Sequence, residues 1–161
     1  MHRLADTYDA LGRRAEALEL REATLARRQA KLGPDHPDTL LSRLSLASHL
    51  VRLGRGAEAA ADCRRAAEAW ENLSVSDAQS LYDAARFRAV TAAALRAADQ
   101  SPAGYVQAEA EADRAMARLE RAVAAGYPHA AWMAEDHDLD ALRHRADFKG
   151  LLARLSAAKP K

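Results

Sequence analysis

The residues of this 161-residue chain that could do chemistry are six histidines, a single cysteine and one short charged string near the C-terminus. The string is His144-Arg145-Ala146-Asp147, which runs straight into Phe148-Lys149-Gly150. A His-Arg-Asp base loop and an Asp-Phe-Gly metal loop would together serve phosphoryl transfer. Those jobs need two separate loops, and here the two patterns overlap. Asp147 reads instead as a helix N-cap and Phe148 as a core residue. Gly54-Arg55-Gly56 is the one GxG, but position 59 is Ala and the stretch falls at a helix–helix turn, where it cannot cradle phosphate. His36 stands between Asp35 and Asp38, and His137 between Asp136 and Asp138. Neither cluster has a second His or Cys one helical turn away, and sequence neighbours point in different directions, so both read as capping and linker residues with no metal. Cys63 reads as a core thiol. No GxSxG, HExxH or P-loop occurs. The expectation is no enzyme, no cofactor and no metal.

Composition narrows the class. Alanine supplies 41 residues and aromatics only 8, which suits closely packed helices and disfavours a β-rich fold. Basic and acidic residues number 24 and 23, so no strong field for nucleic acid arises. Arg64-Arg65 and Arg86-Phe87-Arg88 could serve RNA, but the acidic neighbours Glu58, Asp62, Glu68 and Asp83 make them read as a solvated face. One cysteine cannot form an internal disulfide, and no apolar run approaches the ~18 residues of a membrane span. A cytoplasmic, Ala-rich helical protein is expected.

The elements that would position any site are set by an internal repeat. At an offset of 42, Leu4–Ala17 matches Leu46–Ala59 at eight of fourteen positions. Gly12 and Gly54 fall where a first helix must end in a left-handed residue. Small residues recur at Ala5, Ala17 and Thr24, then at Ala47, Ala59 and Ala66, where two helices must approach closely. Leu4, Tyr8 and Leu11, then Leu46, Leu50 and Leu53, read as the buried ridge. Between the units, Gly33 ends one helix, Pro34 forbids its continuation and Pro37 suits the first turn of the next.

The LGPDHPDT linker, with the LA…LGR..EA core, resembles a tetratricopeptide repeat of the kinesin-light-chain type over residues 3–73. The resemblance implies stacked helix pairs whose first helices line a concave, peptide-binding face. In that family an Asn precedes the LA pair and clamps a peptide backbone; here Arg3, Ser45 and Asp83 take those places, and a single-function oxygen cannot form that two-way clamp.

Beyond Leu73 the phase shifts. Ser74–Asp77 offers caps, Ala78–Ala98 reads as a long helix, Asp99–Gly104 as a loop and Tyr105–Ala125 as another helix. Short helical pieces around Ala130–Ala134 and Leu139–Arg143 and a last helix from Asp147 follow. Trp132, Met133, Leu139, Leu142 and Phe148 would cover the open end of the stack. The segment SLYDAARFRAV, with LERAVAAGY and this tail, resembles the C-terminal repeat region of bacterial serine/threonine protein kinases. That resemblance leads one to expect Asn at Asp83 and Pro at Ala146, and both differ. Met1 falls inside the first helix with no capping sequence before it, so a C-terminal fragment of a longer signalling protein is expected.

The expected architecture is therefore an all-α, tetratricopeptide-like helix-turn-helix solenoid: pairs at about 1–33, 37–73 and 77–126, closed by a helical cap over 127–161. The expected function is a non-catalytic protein-interaction module with a protein or peptide partner. The competing readings are part of a kinase whose catalytic domain is absent from this chain, and a spacer without a ligand. Helical periodicity places Arg3, Asp6, Ser45, Ser48, Arg52, Asp83 and Arg86 on the concave face as candidate contacts, with Ala10, Leu41 and Val90 beside them.

Overall fold

The structure, a computed structural model, describes residues 2–73 and 76–157; the side chains of His2, Arg3, Leu4 and Asp6 lie outside the described residues, as do Ser74 and Val75. The candidate contacts Arg3 and Asp6 therefore have no described side chain. Helices run α1 His2–Ala10, α2 Arg14–Leu32, α3 Pro37–Arg52, α4 Gly56–Asn72, α5 Ala78–Ala98, α6 Pro102–Ala124, α7 Ala130–Glu135 and α8 Ala146–Ala157, with a 3₁₀ helix over His137–Leu142. Among the described residues there is no strand.

Local chemistry sets these limits. Gly12 and Gly54 share φ of +75°, which lets the chain reverse after α1 and α3 in the left-handed region. Pro37 opens α3, and the His36 ring accepts the Asp38 N–H at 3.1 Å as its cap. Asp77 caps α5 by accepting the Ser80 N–H at 2.9 Å. Helix α6 begins three residues before the expected Tyr105, because Ser101 caps it and Pro102 suits its first turn. Helix α8 begins at Ala146, which puts Asp147 inside the first turn rather than at the cap.

From α1 to α6 each helix packs on the next, and α3 also meets α5, as in a stack of antiparallel helices. The small residues at the repeat offset are all buried: Ala5, Ala17 and Thr24, then Ala47, Ala59 and Ala66. The expected large ridge is not. Leu11 is 66% exposed, and Leu46, Leu50 and Leu53 are only half-buried. In α3 the buried apolar positions are Leu40, Leu44 and Ala47.

Two cores share α5. One face of it joins α3 and α4 through Phe87, Val90 and Ala94 against Leu44, Cys63 and Trp70. The other joins α6 and the tail through Tyr82, Ala85 and Ala92 against Ala112, Leu119, Met133, Leu139 and Phe148. A helix buried on both faces needs small residues where its neighbours approach, hence the alanines. Trp132 departs from expectation: it is 66% exposed and stacks on His129 at 4.4 Å instead of joining the core.

Candidate functional site: a charged groove along the third helix

Leu41, Ser45, Ser48 and Arg52 follow one another at spacings of four, three and four, so they form a single stripe of α3. This stripe faces a cavity of about 510 Å³. Arg21 and Arg28 of α2 flank it on one side. Arg86 of α5 and the turn Glu135–Asp138 close the other. The cavity brings together four candidate contacts, Ser45, Ser48, Arg52 and Arg86. Asp83 lies beneath Arg86, buried.

Two ionic centres frame the groove. At the first, the carboxylate of Asp9 accepts from Arg21 at 2.9 Å and from Arg52 at 2.9 Å, and meets the His49 ring at 3.1 Å. Burial alone would raise the Asp9 carboxyl. The Arg21 hydrogen bond and the charges of His49 and Arg52 outweigh it and hold the group below the ordinary carboxylate range. Arg21, itself buried, also donates to Ser45 Oγ.

The second centre is the inverse. Arg86 lies 2.9 Å from Asp83, 3.2 Å from Asp136 and 2.6 Å from Asp138. Ser48 also hydrogen-bonds Asp138. Burial pushes the Asp138 carboxyl up, Arg86 opposes that, and Asp136 adds to it; the net direction is upward. Asp136 accepts from the Tyr82 hydroxyl at 2.8 Å and caps the 3₁₀ helix through the Asp138 N–H at 2.9 Å.

Ser48 and Asp83, open positions by periodicity, are thus buried and hydrogen-bonded, and Val90 is buried in the core. Sequence reasoning missed Arg21 and Arg28. A signal existed: they sit three before and four after Thr24, the small residue already assigned to the inter-helix face, and so share that face. It also missed Asp9 and the cap's carboxylates, whose partners lie far away in sequence.

The remaining chemical candidates resolve into structure. Arg145 of the charged string forks to Asp147 at 2.8 Å and to Asp113 at 2.7 Å, tying the tail to α6. Arg88 is buried between Glu71 and Glu111 beside buried Phe87, so this stretch is not the solvated face expected of it. Burial, with Asp62 and Asp138 nearby, pushes the Cys63 thiol up to about 12, far from a reactive thiolate. Among the described residues no group of three His, Cys, Asp or Glu could hold a metal ion, and no helix is long and apolar enough to cross a membrane.

Residues 1–38 match the tetratricopeptide repeat family profile. No curated protein matches the chain, and no solved structure does. The matched segment spans α1, α2 and the linker into α3, and with the helix-pair stack it marks an all-α, tetratricopeptide-like helical repeat fold. Such repeats generally mediate protein–protein interaction.

Proposed function

We propose that this chain is a non-catalytic interaction module that takes an extended segment of a partner protein in the groove along α3. The observation that carries the reading is the cavity itself: about 510 Å³, lined by the half-buried Leu41 and Leu44 of the core among polar groups. Ser45, Ser48, Arg52 and Arg86 are its contacts or its frame, and Asp83 positions Arg86. The same reading treats α1–α6 as three repeat pairs at about 1–33, 37–73 and 77–126, and residues 127–161 as the cap that completes the groove. By resemblance to kinesin-light-chain-type repeats and to the repeat tails of bacterial serine/threonine kinases, the module serves a larger cytoplasmic signalling protein. No nucleic acid is called for, since in the arginine–aromatic stretch Phe87 and Arg88 are buried and Arg86 is held by three aspartates.

The test is selection of a phage-displayed random dodecapeptide library on the purified chain. Selected sequences, made as labelled peptides, are expected to bind the parent chain and to lose about tenfold in affinity to Leu41→Glu, whose helical content is checked by circular dichroism. Binding that ignores Leu41→Glu, together with a groove-lining Ser45→Lys variant, removes the groove from the function. A spacer without a ligand is the second reading, favoured by how fully the groove's arginines are engaged within the chain; a selection that yields nothing would support it.

A further inference from the structure

The reading of α3 as a peptide groove leaves open what kind of segment it takes, and the ionic groups around the groove decide this. Four guanidinium groups line it: Arg21, Arg28, Arg52 and Arg86. Among the described residues, six carboxylates belong to the same surroundings: Asp9, Asp38, Asp83, Glu135, Asp136 and Asp138. On the lining itself, Asp38, Glu135, Asp136 and Asp138 equal the four cations in number, in keeping with a chain whose net charge is +1.

What differs between the two signs is how far each is already engaged. Arg21 and Arg52 both grip Asp9. Arg86 is enclosed by Asp83, Asp136 and Asp138. Arg28 donates to the Asp38 carbonyl and to Ser42 Oγ. An incoming carboxylate would have to compete for cations that already hold this chain's own oxygens. The carboxylates of Asp38 and Glu135 are different: both are exposed on the groove lining, and among the described residues neither has a cationic partner. Asp38 stands at the start of α3 and Glu135 in the closing turn, with Leu41 and Leu44 also on the lining.

We infer that the groove selects a basic segment, in which Lys or Arg heads meet Asp38 and Glu135 while an apolar neighbour and the side-chain stems lie over the half-buried Leu41. The warrant is the two exposed carboxylates left without a cation among the described residues, beside the half-buried Leu41 and arginines already engaged within the chain. Lys and Arg suit this lining because their stems are apolar and only their tips need the acid. The inference rests on the groove reading, and its test separates the two.

The readout is the charge of the dodecapeptides that the phage-displayed library yields. Selected peptides are expected to be enriched in Lys and Arg beside an apolar residue. Their affinity should fall about tenfold for the double variant Asp38→Asn/Glu135→Gln, as two weakened surface ion pairs imply, and should fall again in about 0.5 M salt. Both positions are exposed and both substitutions keep the side-chain shape, so loss of folding is not the expected cause; circular dichroism on the variant checks this. Acidic or neutral peptides that depend on Leu41 would overturn the inference and leave the groove reading intact. Basic peptides indifferent to the double variant would overturn it as well. An empty selection would remove both.

Discussion

The two ionic centres beside α3 are built as opposites. At one, a single anion, Asp9, is shared by Arg21, Arg52 and His49; at the other, a single cation, Arg86, is shared by Asp83, Asp136 and Asp138. Asp9 ties α1 to α2 and α3, the joint between the first two helix pairs. Arg86 ties α5 to the tail. In each, the central group holds like charges close together, so removing it costs more than removing any one satellite. The difference lies in the satellites. Of those around Asp9, Arg21 and His49 are buried, but Arg52 is 38% exposed and can swing towards solvent. Those of Arg86 are short aspartates on packed backbone, with Asp138 in a 3₁₀ helix between the buried Leu139 and Leu142 on one side and Met133 on the other. The first joint has one partner free to turn away when it is broken, and the second has none.

The largest effect is therefore expected from Arg86→Met. It leaves three carboxylates converging without a cation, Asp83 and Asp138 among them buried, and should cost about 3 kcal/mol in urea unfolding. Adding Asp138→Asn should recover part of this loss, since one of the stranded charges is gone. Cys63, whose thiol is buried in the core shared by α3, α4 and α5, offers an internal probe: its modification by a thiol reagent should quicken in Arg86→Met and slow again in the double variant. An Arg86→Met protein as stable as the parent would mean the three aspartates do not need that cation.

Asp9→Asn should cost less, about 2 kcal/mol, because the amide oxygen still accepts one hydrogen bond and Arg52 can turn outwards. The loss should be local. Amide exchange is expected to accelerate in α1 and the first half of α2 while α5 and the tail keep their protection. Uniform acceleration along the chain would contradict the view that this joint yields by itself.

Neither centre was legible in the sequence, whereas much of the scaffold was. The 42-residue offset located small residues that are all buried and two glycines with the same left-handed φ. These are local requirements of a turn or a helix contact, so residue type alone reports them. Ser48, Asp83 and Leu11 show the limit. Periodicity says which side of a helix a residue occupies, but not what faces it from elsewhere, and the tail that buries Asp83 and Ser48 comes from more than fifty residues on. The ion pairs are hidden for the same reason: Asp9 meets a cation 43 positions away, and Arg86 an anion 52 positions away. In a chain with 29% charged residues, countless such pairings are equally compatible with the sequence, and only packing selects among them.

The smallest effect, and the one that most sharpens the contrast, is the response to acid. The Asp9 carboxyl lies below its ordinary range when folded, so its stabilisation is complete above about pH 4, the value in an unfolded chain, and is lost as the pH falls from there through the folded value. Asp138 lies above its ordinary range. Its contribution is complete below about pH 4 and is lost as the pH rises through the raised value. Acidification should therefore weaken the α1–α2–α3 joint while the protonation of Asp138 favours the folded tail. Amide exchange measured at about pH 5 and about pH 3, corrected for the intrinsic rate, should show protection falling by about tenfold in α1 and α2, with little change over His137–Leu142. Asp138→Asn removes the group whose slope opposes that of Asp9, so in that variant the tail should lose its advantage at the lower pH. Parallel loss of protection at both joints in the parent chain would show that the two centres do not titrate in opposite directions, and that their inverted charge patterns have no consequence for stability.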